Sequence, residues 1–242
     1  MVLSTPRIPA RLCLYAIGDI HGHKDKLAQL LEMIAKDAAT HKRTTKRLVF
    51  LGDYIDRGPD SKGVIELLLC KLPKKFEAVF LRGNHENTLL HILNGEKQLI
   101  PLWMQFGGAT MLASYGVNPF SARLMINPEK LVAALNQKLP DAHRHFLRDT
   151  IFSYGCGDYL FAHAGVRPNV ELDKQSNDDL IWIRDEFLAS QQDFGKIIVH
   201  GHSISAAPDI RPNRIGIDTG AYATGRLTCL KLFGDQRAFL TT

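Results

Sequence analysis

The chain has 242 residues, of which 45% are hydrophobic and 23% are charged, and its formal net charge is +5. These values are typical of an ordinary soluble protein, and the length fits one domain with a single large core. The modest positive charge is not that of a nucleic-acid-binding tail, so we expect no nucleic-acid partner.

The sequence also contains no targeting or membrane signal. Its N-terminus lacks the apolar core of a signal peptide, and no apolar run approaches the roughly 20 residues that span a bilayer. The four cysteines lie far apart without a C-x-x-C pair, which argues against a disulfide framework and a zinc ribbon. These absences predict a cytoplasmic protein without a membrane partner.

Three short apolar runs alternate with helical segments at the start of the chain. The predicted strands are LCLYAIGD (12–19), LVFLGD (48–53) and EAVFLRGNHE (77–86). Apolar residues recur every three or four positions over 27–38, and Asp60 or Ser61 can cap a helix that reaches about Leu72. This alternation of strand and helix predicts a parallel sheet with crossover helices.

The rest of the chain first becomes helical and then returns to strands. Helical patterns cover 87–93, 98–114 and 128–149, and we interpret 87–150 as a helical insertion within a single domain spanning 1–242. After 150, TIFSY-GCGD-YLFAHAG predicts a hairpin and KIIVHGHS (196–203) another strand. RIGIDTG and RLTCLKLF then predict a terminal strand pair. This order indicates two sheets packed together.

Polar residues follow the predicted strands in GDIHGH, GDYIDRG and RGNHE, and two histidines follow later apolar runs. In parallel sheets, ligands bind beyond the carboxyl ends of the strands, so these residues should gather at one edge. The candidate ligands, all oxygen or nitrogen donors, are Asp19, His21, Asp53, Asn84, His163 and His202. Such a set suits manganese, iron or zinc, and a carboxylate such as Asp53 can bridge two cations.

Further residues beside these ligands suit phosphate chemistry. Arg57 and Arg82 can each hold two phosphate oxygens. His85 could protonate a leaving alkoxide, and a carboxylate such as Asp56 could orient it. A single aspartate or asparagine after a strand is more often a turn residue than a ligand. Five polar clusters, each ending an apolar run, nevertheless favour a metal site.

The motifs GDIHG, GDYIDRG, RGNHE, HAG and HGH, in this order, resemble those of the calcineurin-like metallophosphoesterase superfamily. GDYIDRGPDS and LRGNHE resemble in particular the phosphoprotein phosphatase family of serine/threonine phosphatases, in its bacterial and phage branch. The resemblance covers residues 17 to about 203, and IDTGAYATGRLTCL extends it to about 230. It implies an α/β fold, a four-layer α-β-β-α sandwich of two mixed sheets. It also implies two divalent metal ions, often manganese, with iron or zinc as alternatives.

The resemblance also implies a role for each matching residue. For the metals, the implied ligands are Asp19 and His21 on the first ion, Asp53 as the bridge, and Asn84, His163 and His202 on the second ion. His85 would be the general acid, with Asp56 as its partner. The implied phosphate ligands are Arg57, Arg82 and Arg184, the last matching a W-x-R segment in IWIRDEF.

The predicted reaction is the hydrolysis of phosphoserine and phosphothreonine in proteins, and also of phosphotyrosine, by direct attack of a metal-activated water. One alternative is a symmetrical bis(5'-nucleosyl)-tetraphosphate hydrolase. In those enzymes the corresponding segments resemble GDLVARGP and GNHD, with alanine in place of Asp56 and aspartate in place of Glu86. The residues of this chain therefore favour the protein phosphatase. A second alternative, a non-catalytic phosphoprotein-binding module, should lack a ligand or the acid, and none is missing here.

Other phosphatase chemistries lack their motifs in this chain. No cysteine begins a C-x5-R motif, and there is no D-x-D-x-T/V nucleophile and no G-x-x-x-x-G-K-[ST] loop. The sequence therefore predicts a metal-dependent reaction.

Overall fold

Two five-stranded sheets lie face to face in a computed structural model that describes residues 5–119, 121 and 127–242. The strands are β1 (Leu12–Ile17), β2 (Thr45–Phe50), β3 (Phe76–Phe80), β4 (Ser153–Cys156), β5 (Tyr159–Ala162), β6 (Ile197–His200), β7 (Asp209–Ile210), β8 (Arg214–Gly216), β9 (Thr228–Phe233) and β10 (Gln236–Thr241). The helices are α1 (Lys24–Ala38), α2 (Ser61–Cys70), α3 (Asn84–Leu93), α4 (Ile100–Trp103), α5 (Ala109–Ser114), α6 (Pro128–Lys138), α7 (Asp141–Asp149), α8 (Asn177–Trp182), α9 (Asp185–Leu188) and α10 (Ala221–Thr224). Within the described ranges, no helix combines the length and the apolar character needed to cross a membrane.

The first sheet has the order β10-β9-β1-β2-β3, with β1, β2 and β3 parallel and β9 and β10 antiparallel to their neighbours. Its central strand β1 is buried along its whole length. Cys13, Tyr15 and Ile17 face the core beneath the helices, whereas Leu14 and Ala16 face the second sheet. Both faces of β1 are covered, which explains why it is apolar at every position rather than at alternate ones.

The second sheet has the order β4-β5-β6-β8-β7. The hairpin β4–β5 is antiparallel, whereas β5, β6 and β8 run parallel. Phe161 and Val199 pack in the core between the sheets, while Leu160 and Ile198 pack outward with Phe187 of α9. Helices therefore cover the outer face of this sheet as well, and the predicted four-layer α-β-β-α fold is confirmed.

The described residues between β3 and β4 form helices and turns, apart from a parallel bridge between Leu81 and Ile151. A short 3₁₀ turn (Lys97–Leu99) and a wide turn (Met104–Gly108) flank α4. Buried residues of this helical segment, including Trp103 and Leu112, join the same core as α1 and α2. At Gly107, whose φ of 100° requires glycine, the backbone carbonyl accepts a hydrogen bond from the Arg57 amide. The segment thus reaches the edge of the sheet where β2 ends.

The predicted terminal strand pair is wrong. RIGIDTG contributes β8, which pairs with β6 and β7, whereas RLTCLKLF forms β9, which pairs with β1 and β10. The two segments belong to different sheets. β10, which the sequence analysis did not predict, provides the antiparallel partner that we expected β8 to supply, through a turn at Gly234 and Asp235.

Candidate active site

Residues that follow five strands of the two sheets meet at one edge of the sandwich. Asp19 and His21 follow β1, Asp53 follows β2, and Asn84 follows β3. From the second sheet, His163 follows β5 and His202 follows β6. All six side chains are buried. They lie around a narrow cleft, as the strand-end rule predicts for parallel sheets.

Asp53 lies at the centre of this group. One of its carboxylate oxygens is 3.4 Å from His21 Nε2, and the other is 3.5 Å from His163 Nε2. Asp53 belongs to two sets of potential metal ligands. One set also contains His21 and His85, and the other contains His163 and His202. Within each set, the ligand atoms lie within 4.8 Å of one another. A carboxylate shared between two such sets has the geometry of a bridging ligand.

Two of the histidines are held in one orientation by backbone carbonyls. Nδ1 of His21 lies 2.9 Å from the Ile55 carbonyl oxygen, and Nδ1 of His163 lies 2.9 Å from that of Leu51. The Nδ1–H group donates in each case, which leaves the Nε2 lone pair directed at Asp53. Burial lowers the pKa of His21 to about 3, so the ring is neutral at pH 7 and suited to bind a cation.

Several polar atoms in the cleft have contacts that a cation would complete. His163 Nε2 lies 3.0 Å from Asn84 Oδ1, so two acceptors face each other. An imidazole nitrogen and an amide oxygen are both ligands of divalent cations, so a cation bound here would satisfy both. Among the described residues, Asp19 Oδ1 and His202 Nε2 are buried without a hydrogen-bond partner. The donor set therefore fits divalent metal ions.

The charges of the buried carboxylates also favour bound cations. Burial raises the pKa of Asp19, and the nearby carboxylates Asp218 and Asp53 raise it further. Burial likewise opposes the ionisation of Asp53, but the surrounding histidines, His163 first, hold its pKa below the usual range. Three buried carboxylates repel one another unless positive charge lies between them, as divalent ions would supply.

The turns that present these residues adopt uncommon backbone conformations. Positive φ angles occur at His21 (44°), Asp53 (49°), Asp56 (67°), Arg57 (62°) and His202 (60°). Such angles cost free energy in non-glycine residues and cluster at functional sites. Close approach adds a second constraint, because a Cβ atom at Gly83 would lie 2.1 Å from Asp53 Oδ1. Only glycine fits there.

His85 and Asp56 form the pair that the sequence predicts. His85 Nδ1 lies 2.7 Å from Asp56 Oδ2, and His85 Nε2 lies 3.9 Å from Asp53 Oδ2, on the cleft side. Burial opposes protonation of His85, but Asp53 and Asp56 outweigh it and raise its pKa to about 9. The ring therefore holds a proton at pH 7 at the edge of the cleft.

Sequence reasoning missed Trp103, which supports this pair. Its indole N–H donates to both oxygens of Asp56, at 3.0 and 3.2 Å, and the side chain is fully buried. Nothing in the sequence pattern of the helical segment distinguishes Trp103 from an ordinary core residue. The structure shows that this segment supplies a hydrogen bond to the residue that orients His85.

Two of the three predicted phosphate arginines line the cleft. Arg57 lies 4.3 Å above the ring of Tyr222, and its buried Nε has no hydrogen-bond partner among the described residues. Arg184 donates from Nη1 to the His202 carbonyl oxygen at 3.2 Å. Both guanidinium groups therefore lie where a phosphate over the metal-ligand cluster would contact them.

Arg82 does not lie with them. Its Nε donates to Thr150 Oγ1 at 2.9 Å, and its Nη2 donates to the carbonyl oxygens of Arg148 at 2.7 Å and Thr150 at 3.1 Å. It also packs over the ring of Phe152. The prediction that Arg82 binds phosphate disagrees with this placement, because the side chain turns away from the cleft and links the end of β3 to the end of α7.

Arg184→Ala and Arg82→Ala should consequently differ. Loss of Arg184 removes a charge-assisted contact to phosphate, so kcat/KM should fall roughly tenfold to a hundredfold. Arg82→Ala should leave KM unchanged and instead lower the free energy of unfolding, because it removes three hydrogen bonds to Thr150 and Arg148. Steady-state kinetics and urea unfolding of both variants test this contrast. Unchanged kinetics for Arg184→Ala would contradict the phosphate role.

Two buried carboxylates near the site were not predicted to have a role. Asp218 follows β8 and lines the cleft beside Asp19. The rule that identified Asp19 and Asp53, an acidic residue directly after an apolar run, applies to it as well. Glu86 accepts from the backbone N–H groups of Asp53 (2.9 Å), Tyr54 (2.8 Å) and Gly83 (3.0 Å). It positions the turn that presents Asp53 and has no exposed surface in the cleft.

Glu86→Gln should therefore lower the free energy of unfolding by about 1–3 kcal/mol. The amide keeps one acceptor oxygen and directs an NH₂ group at backbone N–H donors. Glu66→Gln is the matched control, since Glu66 is exposed on α2 and pairs with Lys62 at the surface. Urea unfolding curves measure both, and equal, small changes would show that Glu86 does not hold this turn.

The fold and site together define the class of the protein. A model of the calcineurin-like phosphoesterase family matches residues 14–232. This chain belongs to that family.

The similar proteins include nucleotide and protein phosphatases. The asymmetrical bis(5'-nucleosyl)-tetraphosphatase PrpE of Halalkalibacterium halodurans is 29% identical over 224 residues, covering 89% of this chain and 88% of that protein. A solved structure assigned provisionally as a diadenosine tetraphosphatase has a TM-score of 0.64 at 21% identity, covering 100% of this chain and 96% of that one. The cold-active protein-tyrosine phosphatase of a Shewanella species has a TM-score of 0.59 at 16% identity, covering 97% and 83%. The two solved structures show a shared fold.

These findings confirm the predicted superfamily but not its narrower assignment to the protein phosphatases. One argument for that assignment was Glu86 in place of aspartate. In the structure, this carboxylate contacts backbone amides behind Asp53 and not the cleft. The choice between glutamate and aspartate at this position therefore says little about the substrate.

Proposed function

We propose that the protein hydrolyses dinucleoside tetraphosphates asymmetrically, giving a nucleoside monophosphate and a nucleoside triphosphate. The observation that carries this proposal is the 29% identity to an asymmetrical bis(5'-nucleosyl)-tetraphosphatase over 89% of the chain. The cleft supports it, since its donor set fits divalent cations and Arg57 and Arg184 border it. Dinucleoside tetraphosphates, the alternative substrates in the sequence analysis, thus become the first candidates ahead of phosphoproteins. The proposed cleavage is asymmetrical rather than symmetrical.

The candidate metal ligands of the cleft would each have a part in this reaction. Two bound divalent ions, for which we propose manganese, would supply Lewis acidity to the phosphoryl oxygens and lower the pKa of a water. Asp19, His21 and Asp53 would hold one ion, and Asn84, His163 and His202 would complete the second site with Asp53.

Three more side chains would act on the substrate itself. Arg57 and Arg184 would bind phosphate oxygens and stabilise the charge that spreads over them in the transition state. The proton on His85 Nε2, maintained by Asp56, is available to the leaving oxygen.

A second candidate function is the hydrolysis of phosphoserine and phosphothreonine in proteins. The observation that favours it is the His85–Asp56 pair with its added hydrogen bond from Trp103. A serine or threonine alkoxide is a poor leaving group and needs a proton donor, whereas the phosphate of a nucleotide leaves readily without one. In that case the partners would be phosphorylated proteins or peptides.

One comparison separates the two functions. The metal-stripped protein is assayed with and without added manganese on diadenosine tetraphosphate and on a phosphothreonine peptide. We expect manganese-dependent conversion of the dinucleotide into AMP and ATP, separated by chromatography, at a higher kcat/KM than phosphate release from the peptide. ADP as the only product would indicate symmetrical cleavage. Turnover of the peptide alone would establish the second function.

A further inference from the structure

Aromatic side chains surround the cleft on the protein surface. Among the described residues, eight large apolar side chains are exposed, and each of the three aromatic ones lies beside a histidine of this site. They are Phe106 (40% exposed), Trp182 (39%) and Tyr222 (37%). Exposed aromatic rings gathered around a polar cleft need an explanation that core packing does not give, and they commonly mark a binding surface.

Two of these rings lie beside histidines of different ligand sets. The Trp182 ring stands at 89° to the ring of His202, with the centroids 6.2 Å apart. The Phe106 ring is 6.4 Å from that of His85. His202 belongs to one of the two ligand sets that share Asp53, and His85 belongs to the other. A phosphate chain bound over Asp53 would therefore have an aromatic ring beside each ligand set.

Tyr222 is arranged differently from the other two. Its ring lies 4.3 Å below the Arg57 guanidinium, and it stands at 89° to the ring of His21, with the centroids 5.5 Å apart. One face is therefore already occupied by a cation, which fixes Arg57 over the cleft. Tyr222 consequently supports a phosphate-binding arginine, whereas Trp182 and Phe106 have no such partner over a ring face among the described contacts.

We propose that Trp182 and Phe106 are stacking platforms for the two nucleobases of the substrate. This inference rests on the proposed function, because it needs a substrate with a planar aromatic group at each end of a phosphate chain. Every base has a π-face, so stacking on an exposed aromatic ring tolerates adenine and guanine alike. The metal-ligand cluster and the arginines would bind the phosphates, and the two rings would select nucleotides over simple phosphate esters.

The first test compares substrates with and without a nucleobase. Trp182→Ala should lower kcat/KM for diadenosine tetraphosphate about tenfold to a hundredfold. The loss with p-nitrophenyl phosphate, which has no nucleobase, should be several-fold smaller. Trp182→Phe should recover much of the activity on the dinucleotide, and Phe106→Ala should show the same selectivity as Trp182→Ala. Leu69→Ala, an exposed apolar residue on α2 remote from the cleft, controls for general surface effects.

The second test measures binding without turnover. The chain has two tryptophans, and Trp103 is buried at 1% exposure, so Trp182 is the one that a ligand can reach. Titration with AMP should quench the tryptophan emission of the wild type, and this quenching should disappear in Trp182→Phe.

The outcomes separate the two proposals. Cleavage of the dinucleotide by the wild type with equal losses on both substrates in Trp182→Ala, or with no loss, would overturn the stacking proposal alone. AMP quenching that persists unchanged in Trp182→Phe would also overturn it. A wild-type protein that leaves the dinucleotide intact but binds AMP through Trp182 would overturn the proposed function while supporting the platform.

Discussion

Asp53→Asn is expected to abolish turnover, with a loss on the order of a thousandfold or more, because it removes the carboxylate that both donor sets share. The substitution preserves the volume of the side chain but replaces a charged carboxylate by a neutral amide with one acceptor oxygen. The protein should then fail to retain two metal ions after reconstitution with manganese. Elemental analysis of the dialysed protein, together with kcat on p-nitrophenyl phosphate, measures both effects.

Asp173→Asn provides the matched control for this experiment. Asp173 is exposed and lies outside the cleft, so the same loss of charge should change neither metal content nor turnover. Two tightly held ions in Asp53→Asn would show that Asp53 does not bridge them. A loss of metal is informative only if the variant is folded. Circular dichroism checks this, because the substitution alters the group that accepts a hydrogen bond from the His85 amide.

His85→Asn should reduce turnover of a phosphothreonine peptide by about a hundredfold to a thousandfold while metal content stays intact. The reason is the proton on this ring, which Asp56 supports through its hydrogen bond to Nδ1 and which a threonine alkoxide needs in order to leave. Hydrolysis of p-nitrophenyl phosphate should fall much less, because p-nitrophenolate leaves without protonation. Kinetics on the two substrates give the ratio directly.

The same helix supplies a control for this variant. His91 lies exposed near the end of α3 and pairs with Glu96, so His91→Asn removes an imidazole without reaching the cleft. Equal losses on both substrates in His85→Asn would argue against a general acid. A loss of metal would assign His85 to the ligand set, which its distance of 3.9 Å from Asp53 permits.

The sequence predicted the candidate metal ligands better than it predicted the residues that surround them. Apolar runs that end in Asp, Asn or His mark the carboxyl ends of β1, β2, β3, β5 and β6, and a parallel sheet brings those ends together. Backbone topology alone therefore assembles the six candidate ligands. The same logic extends to Asp218 after β8, which was overlooked because its run was assigned to the wrong strand pair.

Contacts between segments distant in sequence were not predictable in this way. The neighbours of Arg82 in sequence suggest a phosphate ligand, yet carbonyl groups at Arg148 and Thr150 bind its guanidinium. The indole of Trp103 reaches Asp56 only after the helical segment has packed against α2 and α3. Side-chain direction in both cases depends on tertiary packing, which periodicity and local motifs do not encode.

The candidate metal ligands come from both sheets, so a bound ion would also affect the stability of the fold. Asp53 lies at the end of β2 and His163 at the end of β5, so an ion held by both would join the two halves of the sandwich. Ligands that bind only the native state stabilise it by mass action, by about 2.7 kcal/mol at a concentration a hundred times the dissociation constant. Metal supply would then raise the thermal midpoint of the protein as well as its rate, and chelation would lower that midpoint.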